Sequence, residues 1–129
     1  MTLEAIAHAK VRQGQLEGFK AQAAEIIRVT REQDTHTLRC DWFINDDGTE
    51  CEVHEMFSDE QGLLEHQMHI MQARTILFRD YAYDHRSTIY GEVSQDFINL
   101  VRKAGKKLTS AQAVVLIDSA TGIRTLIGC

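Results

Sequence analysis

The stretch from Arg39 to Ile70, RCDWFINDDGTECEVHEMFSDEQGLLEHQMHI, decides the fold. Thr37 to Asn45 and Thr49 to Phe57 alternate in polarity around Asp46-Asp47-Gly48, the residue chemistry of a tight hairpin turn. Ser58, with Gln61 three residues on, has the form of a capping box before an apolar-periodic run. The spacing therefore predicts strand, turn, strand, then a helix from Asp59 to about Tyr81, with Gly62 as its weak point. That helix carries His66 and His69, three residues apart and so on one side.

Outward from this core, Leu3 to Val11 alternates as a strand with Ala5, Ala7 and Ala9 on one face. Gly14 ends it. Gln15 to Gln33 then shows a helical stripe of Leu16, Phe19, Ala23, Ile26, Ile27 and Thr30. Beyond the middle helix, Arg86 to Tyr90 reads as a short strand and Ser94 to Ala104 as a short helix capped by Ser94 or Asp96. In the tail, Val114-Val115-Leu116-Ile117 suits a buried strand, and Ile123 to Ile127 can pair back after a turn at Ser119 to Gly122.

The order β-α-β-β-α-β plus a tail is the split βαβ, ferredoxin-like pattern, an α+β class with an antiparallel sheet. Cys40, Trp42, Ile44, Cys51 and Val53 give that sheet one apolar face. Asp41, Phe43, Glu52, His54 and Met56 give it a mixed second face with large apolar residues. Helices cover only one side of such a sheet, so pairing with a second copy is expected.

At 129 residues the chain is read as a single domain, residues 1–129, with a body over 1–105 and a strand or hairpin extension over 106–129. A net charge of −5 argues against nucleic-acid binding, which needs concentrated Lys and Arg. The basic run Arg102 to Lys107 reads as a solvated helix end. No export signal or membrane span is read, since the longest apolar run is Ala113 to Ile117, and a cytoplasmic location is expected. Cys40, Cys51 and Cys129 contain no CxxC. The hairpin register sets Cys40 opposite His54 or Glu55 rather than Cys51, so reduced, buried thiols are expected.

The segments HAKVRQGQLEGFKAQAAEII, LRCDWFINDDGTECEVHEMFSDEQGLLEHQMHI and IYGEVSQDFINLV together resemble the antibiotic biosynthesis monooxygenase domain, over roughly Ala5 to Glu92. The resemblance implies a dimeric α+β barrel of ferredoxin-like halves, with a pocket between sheet and helices in each protomer. It also implies oxygenation of phenols or quinols without a cofactor, and a histidine at the position of His66. Two departures stand out. The haem-degrading branch carries its Trp on a helix, whereas the only Trp here, Trp42, falls on a strand. The segment Lys106 to Cys129 is also longer than the family's usual ending.

His66 is the candidate base for a bound phenol and His69 the candidate partner that holds or relays charge, because imidazole titrates near neutrality. Trp42 and Tyr83 are the candidate substrate-binding residues; Trp42 can stack on a flat ligand, or simply pack in the core or an interface. No metal is expected. Glu65-His66-x-x-His69 is not the zinc-peptidase order, and a third ligand such as His54 or Glu55 would have to come from the hairpin. Asp41 and Glu52 share a face as exposed hairpin charge, and Tyr81, Tyr83 and His85 gather where the middle helix ends. The expectation is a homodimeric, cofactor-independent monooxygenase that binds a small hydrophobic aromatic ligand. The alternative is a non-catalytic dimeric ligand-binding or assembly domain of the same fold.

Overall fold

The computed structural model describes residues 2–103 and 123–126, with side chains over 2–100. The elements are β1 (Leu3–Val11), α1 (Leu16–Gln33), β2 (Thr37–Asn45), β3 (Glu50–Phe57), α2 (Glu60–Ile76), β4 (Ala82–Tyr90), α3 (Gln95–Lys103) and β5 (Ile123–Leu126). A π-helical turn, Leu77–Tyr81, joins α2 to β4. The sheet runs β4-β1-β3-β2-β5, antiparallel at every joint. Its first four strands have the ferredoxin-like order expected from the sequence.

The β2–β3 hairpin forms where the turn residues place it. Gly48 supplies a φ of +73°, and the Asn45 side-chain oxygen accepts from the backbone N–H of both Thr49 and Glu50. Register sets Cys40 opposite Glu55 and Ile44 opposite Cys51, and both cysteines are buried thiols outside any disulfide. Alternation then sends Cys40, Trp42, Ile44, Cys51, Val53 and Glu55 toward the helices. The opposite face carries Phe43 and Met56 among Asp41, Glu52 and His54.

α1 buries Phe19, Ala23, Ile26, Ile27 and Thr30 on the predicted stripe, while Arg28 bridges Glu25 and Glu32 outside. α2 is capped by Asp59, whose side chain accepts from the Gly62 N–H at 2.8 Å. Ser58 is not the cap: it lies one residue before the N-cap position, and its buried hydroxyl makes no hydrogen bond among the described residues. α2 buries Leu63, His66, Ile70 and Ala73. Its expected run to Tyr81 holds, but the last turn widens to π, clamped by Arg12, which donates from its backbone N–H to Tyr81 O and from its side chain to Phe78 O. The Tyr81 ring lies over Gly18 of α1, where an added Cβ would meet Tyr81 Cε1 at 2.3 Å.

β4 begins at Ala82, earlier than the expected Arg86. Its first residues pair with Lys10 and Val11 across an irregularity in β1, and Asp84 takes a φ of 55°. That break removes the polar–apolar alternation by which a strand is recognised. α3 starts at Ser94, whose hydroxyl accepts from Phe97 N and donates to Glu60, tying α3 to the first turn of α2. Phe97 closes a second core cluster with Ala5, Phe57, Leu63 and Ile89. β5 pairs with the second half of β2, Phe43 to Asn45. The strand expected at Val114 to Ile117 lies outside the described residues. No helix among the described residues is long and apolar enough to cross a membrane.

Candidate functional site

A cavity lies between the sheet and the helical layer. Trp42, Cys51, Val53 and Glu55 form its floor; Phe19, Ile26 and Ile70 form the helical side; Arg74, Leu77, Phe78, His85 and Ser87 stand at one end. Water-sized molecules can place their centres over about 80 Å³, within about 620 Å³ of empty space that includes the mouth. An apolar hollow with few polar groups is the usual form of a small-molecule site. Trp42 is the chain's one tryptophan and is 6 % exposed, yet its indole N–H has no hydrogen-bond partner. Buried donors are almost always satisfied, so this N–H is an exception within the core.

Behind Glu55 runs a line of alternating charge. His66 Nε2 stands 2.7 Å from Glu55 Oε2, a contact that lies off the N–H axis and so acts as an ion pair rather than a directed hydrogen bond. His66 Nδ1 bonds Asp34 Oδ2 at 2.7 Å, and the other oxygen of Asp34 bonds His69 Nδ1 at 2.6 Å. Thr37 Oγ1 also donates to Asp34. Four elements meet here: the end of α1, β2, β3 and α2. The side chains of Asp34 and His66 are 2 % and 1 % exposed, and that of His69 is 24 % exposed. Burial alone would push the His66 pKa down, but Asp34 and Glu55 overcome it and raise it to about 9. For Asp34, burial works upward, while hydrogen bonds from His66, His69 and Thr37 win and bring it to about 2. His66 is therefore an imidazolium and Asp34 a carboxylate at neutral pH, with Glu55 on the other side of the ring.

Of the sequence-predicted residues, Trp42 lines the cavity directly. His66 does not; it sits behind Glu55, which does. His69 joins His66 through Asp34, at the protein surface. Tyr83 is 45 % exposed, points away from the cavity and lies under the Arg12 guanidinium, 5.8 Å from its ring centre. Asp34, Glu55 and Arg74 are the site residues that the candidate set lacked. Glu55 carried a signal, because alternation puts its carboxylate on the Cys51–Val53 face. Asp34 carried none, since its link to α2 is purely tertiary.

Among the described residues, Asp34, Glu65 and His69 bring ligand atoms within 4.8 Å of one another. Those atoms are already committed: His69 to Asp34, and Glu65 to the Thr35 N–H and hydroxyl. His54 pairs with Glu52 on the far face and does not join them.

Solved structures share this fold. MupZ from Pseudomonas fluorescens superposes with a TM-score of 0.70 at 23% identity, covering 92% of this chain and 89% of that one. An antibiotic biosynthesis monooxygenase gives 0.63 at 17% identity, over 71% of this chain and 99% of its own. The chain has the antibiotic biosynthesis monooxygenase fold. Rv0793 from Mycobacterium tuberculosis has this fold too, with a TM-score of 0.62 at 20% identity over 74% of this chain and 98% of that one. No protein-family model and no curated protein matches the chain.

Proposed function

We propose that the protein is a cofactor-independent monooxygenase acting on a phenol or quinol held in the cavity. One observation carries this reading. A buried tryptophan and a carboxylate backed by a buried imidazolium line one largely apolar cavity. Glu55 takes the substrate O–H proton. The phenolate gives one electron to O₂, and the radical pair combines at a ring carbon as a peroxide. Loss of the carbon-bound proton with O–O cleavage then leaves a quinone and water. The protein supplies position, a dry enclosure and the base, while the substrate supplies both electrons. His66 is the positioning residue. Its charge holds Glu55 against the cavity, and Asp34 holds His66, with His69 at the solvent end. The chain works as a homodimer, each copy closing the exposed sheet face of the other.

The test is oxygen uptake with a panel of hydroquinones, in wild type and in Glu55→Gln. A base removed from its substrate costs ~100-fold or more in turnover. Turnover that Glu55→Gln leaves unchanged removes the assigned base. A second reading, a ligand-binding domain without chemistry, is favoured by the tight pairing of His66, which ties four elements as a structural device would. Ring compounds that bind while no hydroquinone consumes oxygen would establish it.

A further inference from the structure

Arg74 has no part in the proton transfer, yet its guanidinium stands at the end of the cavity. Its carbon Cζ is 5.5 Å from the centre of the Phe78 ring, and Nη2 is 3.5 Å from His85 Nδ1. Both of those side chains line the hollow, so the charged end, and not only the aliphatic stem, faces it. Among the described residues no carboxylate comes within ion-pairing distance of Arg74. Glu55, the carboxylate in the same cavity, is taken by His66 at 2.7 Å. The guanidinium therefore has, among the described residues, no carboxylate of its own within bonding distance, at the end of the cavity where Phe78 and His85 also stand. Half-buried, Arg74 is pulled below its ordinary pKa by desolvation, which the more distant Glu55 only partly offsets. An unpaired guanidinium in such a place is costly unless a ligand completes it.

We infer that the cavity selects ring compounds bearing an anionic oxygen group, carboxylate or phenolate, and that Arg74 is the residue that recognises it. A guanidinium offers a planar fork matched to such oxygens, and the flanking Phe78 and Trp42 present apolar and aromatic surface to the ring. The inference deepens the reading of this cavity as a substrate site, but it does not require the oxygen chemistry.

Because Trp42 lines the cavity and is the chain's only tryptophan, its fluorescence reports occupancy without a label. The experiment is an anaerobic titration at pH 8 with benzoate, pentafluorophenolate and their neutral counterparts benzamide and benzyl alcohol. The full-length wild type is compared with Arg74→Gln and Arg74→Lys, each checked for fold by circular dichroism. The expected result is at least tenfold tighter binding of one or both anions over the neutral compounds in wild type. That preference is lost in Arg74→Gln and partly kept in Arg74→Lys, with neutral affinities unmoved. Which anion binds tighter identifies the group carried by the ligand. Equal binding of neutral and anionic probes, a preference that survives Arg74→Gln, or no binding by any probe at millimolar concentration each overturns it. Anion selectivity without hydroquinone turnover would sustain this inference while removing the oxygenase.

Discussion

Raising the pH should loosen the protein through one side chain, His66. In the folded chain its pKa stands at about 9, against an ordinary imidazole value of 6.5. A group whose folded pKa is raised gives its full stabilisation below the unfolded value and loses it as pH climbs through the folded one. The window is thus pH 6.5 to 9. At ~1.4 kcal/mol per pH unit, that gap corresponds to roughly 3–4 kcal/mol. A loss of that size is a large share of an ordinary domain's stability. Urea denaturation at pH 6 and pH 10 measures the loss directly. Nuclear magnetic resonance titration of the imidazole separates His66 from the tyrosines and lysines that also titrate at the upper end. A midpoint at or below 6.5, with stability flat across the window, would refute the pairing of His66 with Asp34 and Glu55. Acid gives the mirror case. Asp34 is lowered to about 2, so its contribution is present above the ordinary 3.8 and disappears as pH falls through 2. The two figures describe one charge pair and are not added.

Two further outcomes follow from packing and burial. Gly18→Ala would drive a methyl into the Tyr81 ring, which stands 2.3 Å from the added carbon. The expected cost is about 1–3 kcal/mol in urea denaturation, recovered if Tyr81→Leu is added. The Cys51 thiol is pushed up to about 12 by burial and by the charge of Glu52. Native protein should therefore leave the Cys51 peptide unalkylated by iodoacetamide at pH 8, and denatured protein should react fully, as read by mass spectrometry.

The strands and helices were legible because their signals are local. The Asp46-Asp47-Gly48 turn fixes the hairpin register, and the α1 stripe matches the residues it buries. Where local signals conflict, the structure departs from expectation. Asp59 takes the place of Ser58 as the cap of α2, since the helix begins one residue later and it is the Asp59 carboxylate that meets the Gly62 N–H. β4 starts four residues early because a distorted pairing with β1, rather than alternation, holds its first half. The candidate site was half legible. Trp42 and His66 announce themselves by type and spacing, while Asp34 and Arg74 do not. Asp34 sits just past a helix end, where an acid is commonplace, and only the folding of α2 across it makes it a partner of two histidines. For Tyr83, aromatic character suggested a pocket wall, and its place on β4 sets it opposite Lys10 and under the Arg12 guanidinium.

The π-helical turn at Leu77–Tyr81 has a further consequence for the cavity. A helix advances by about 100° per residue, so a π turn retains one residue that an ordinary turn would not hold. Leu77 and Phe78 face the hollow from within that segment, and β4, carrying His85 and Ser87, leaves from its end. Deleting Phe78 would restore an ordinary turn, keep the exit of the chain near its present direction and remove one of the two side chains that face the hollow. One end of the hollow would then be rebuilt while its Trp42 floor stayed in place. The spare residue at this single joint is then what furnishes that end of the hollow with its wall.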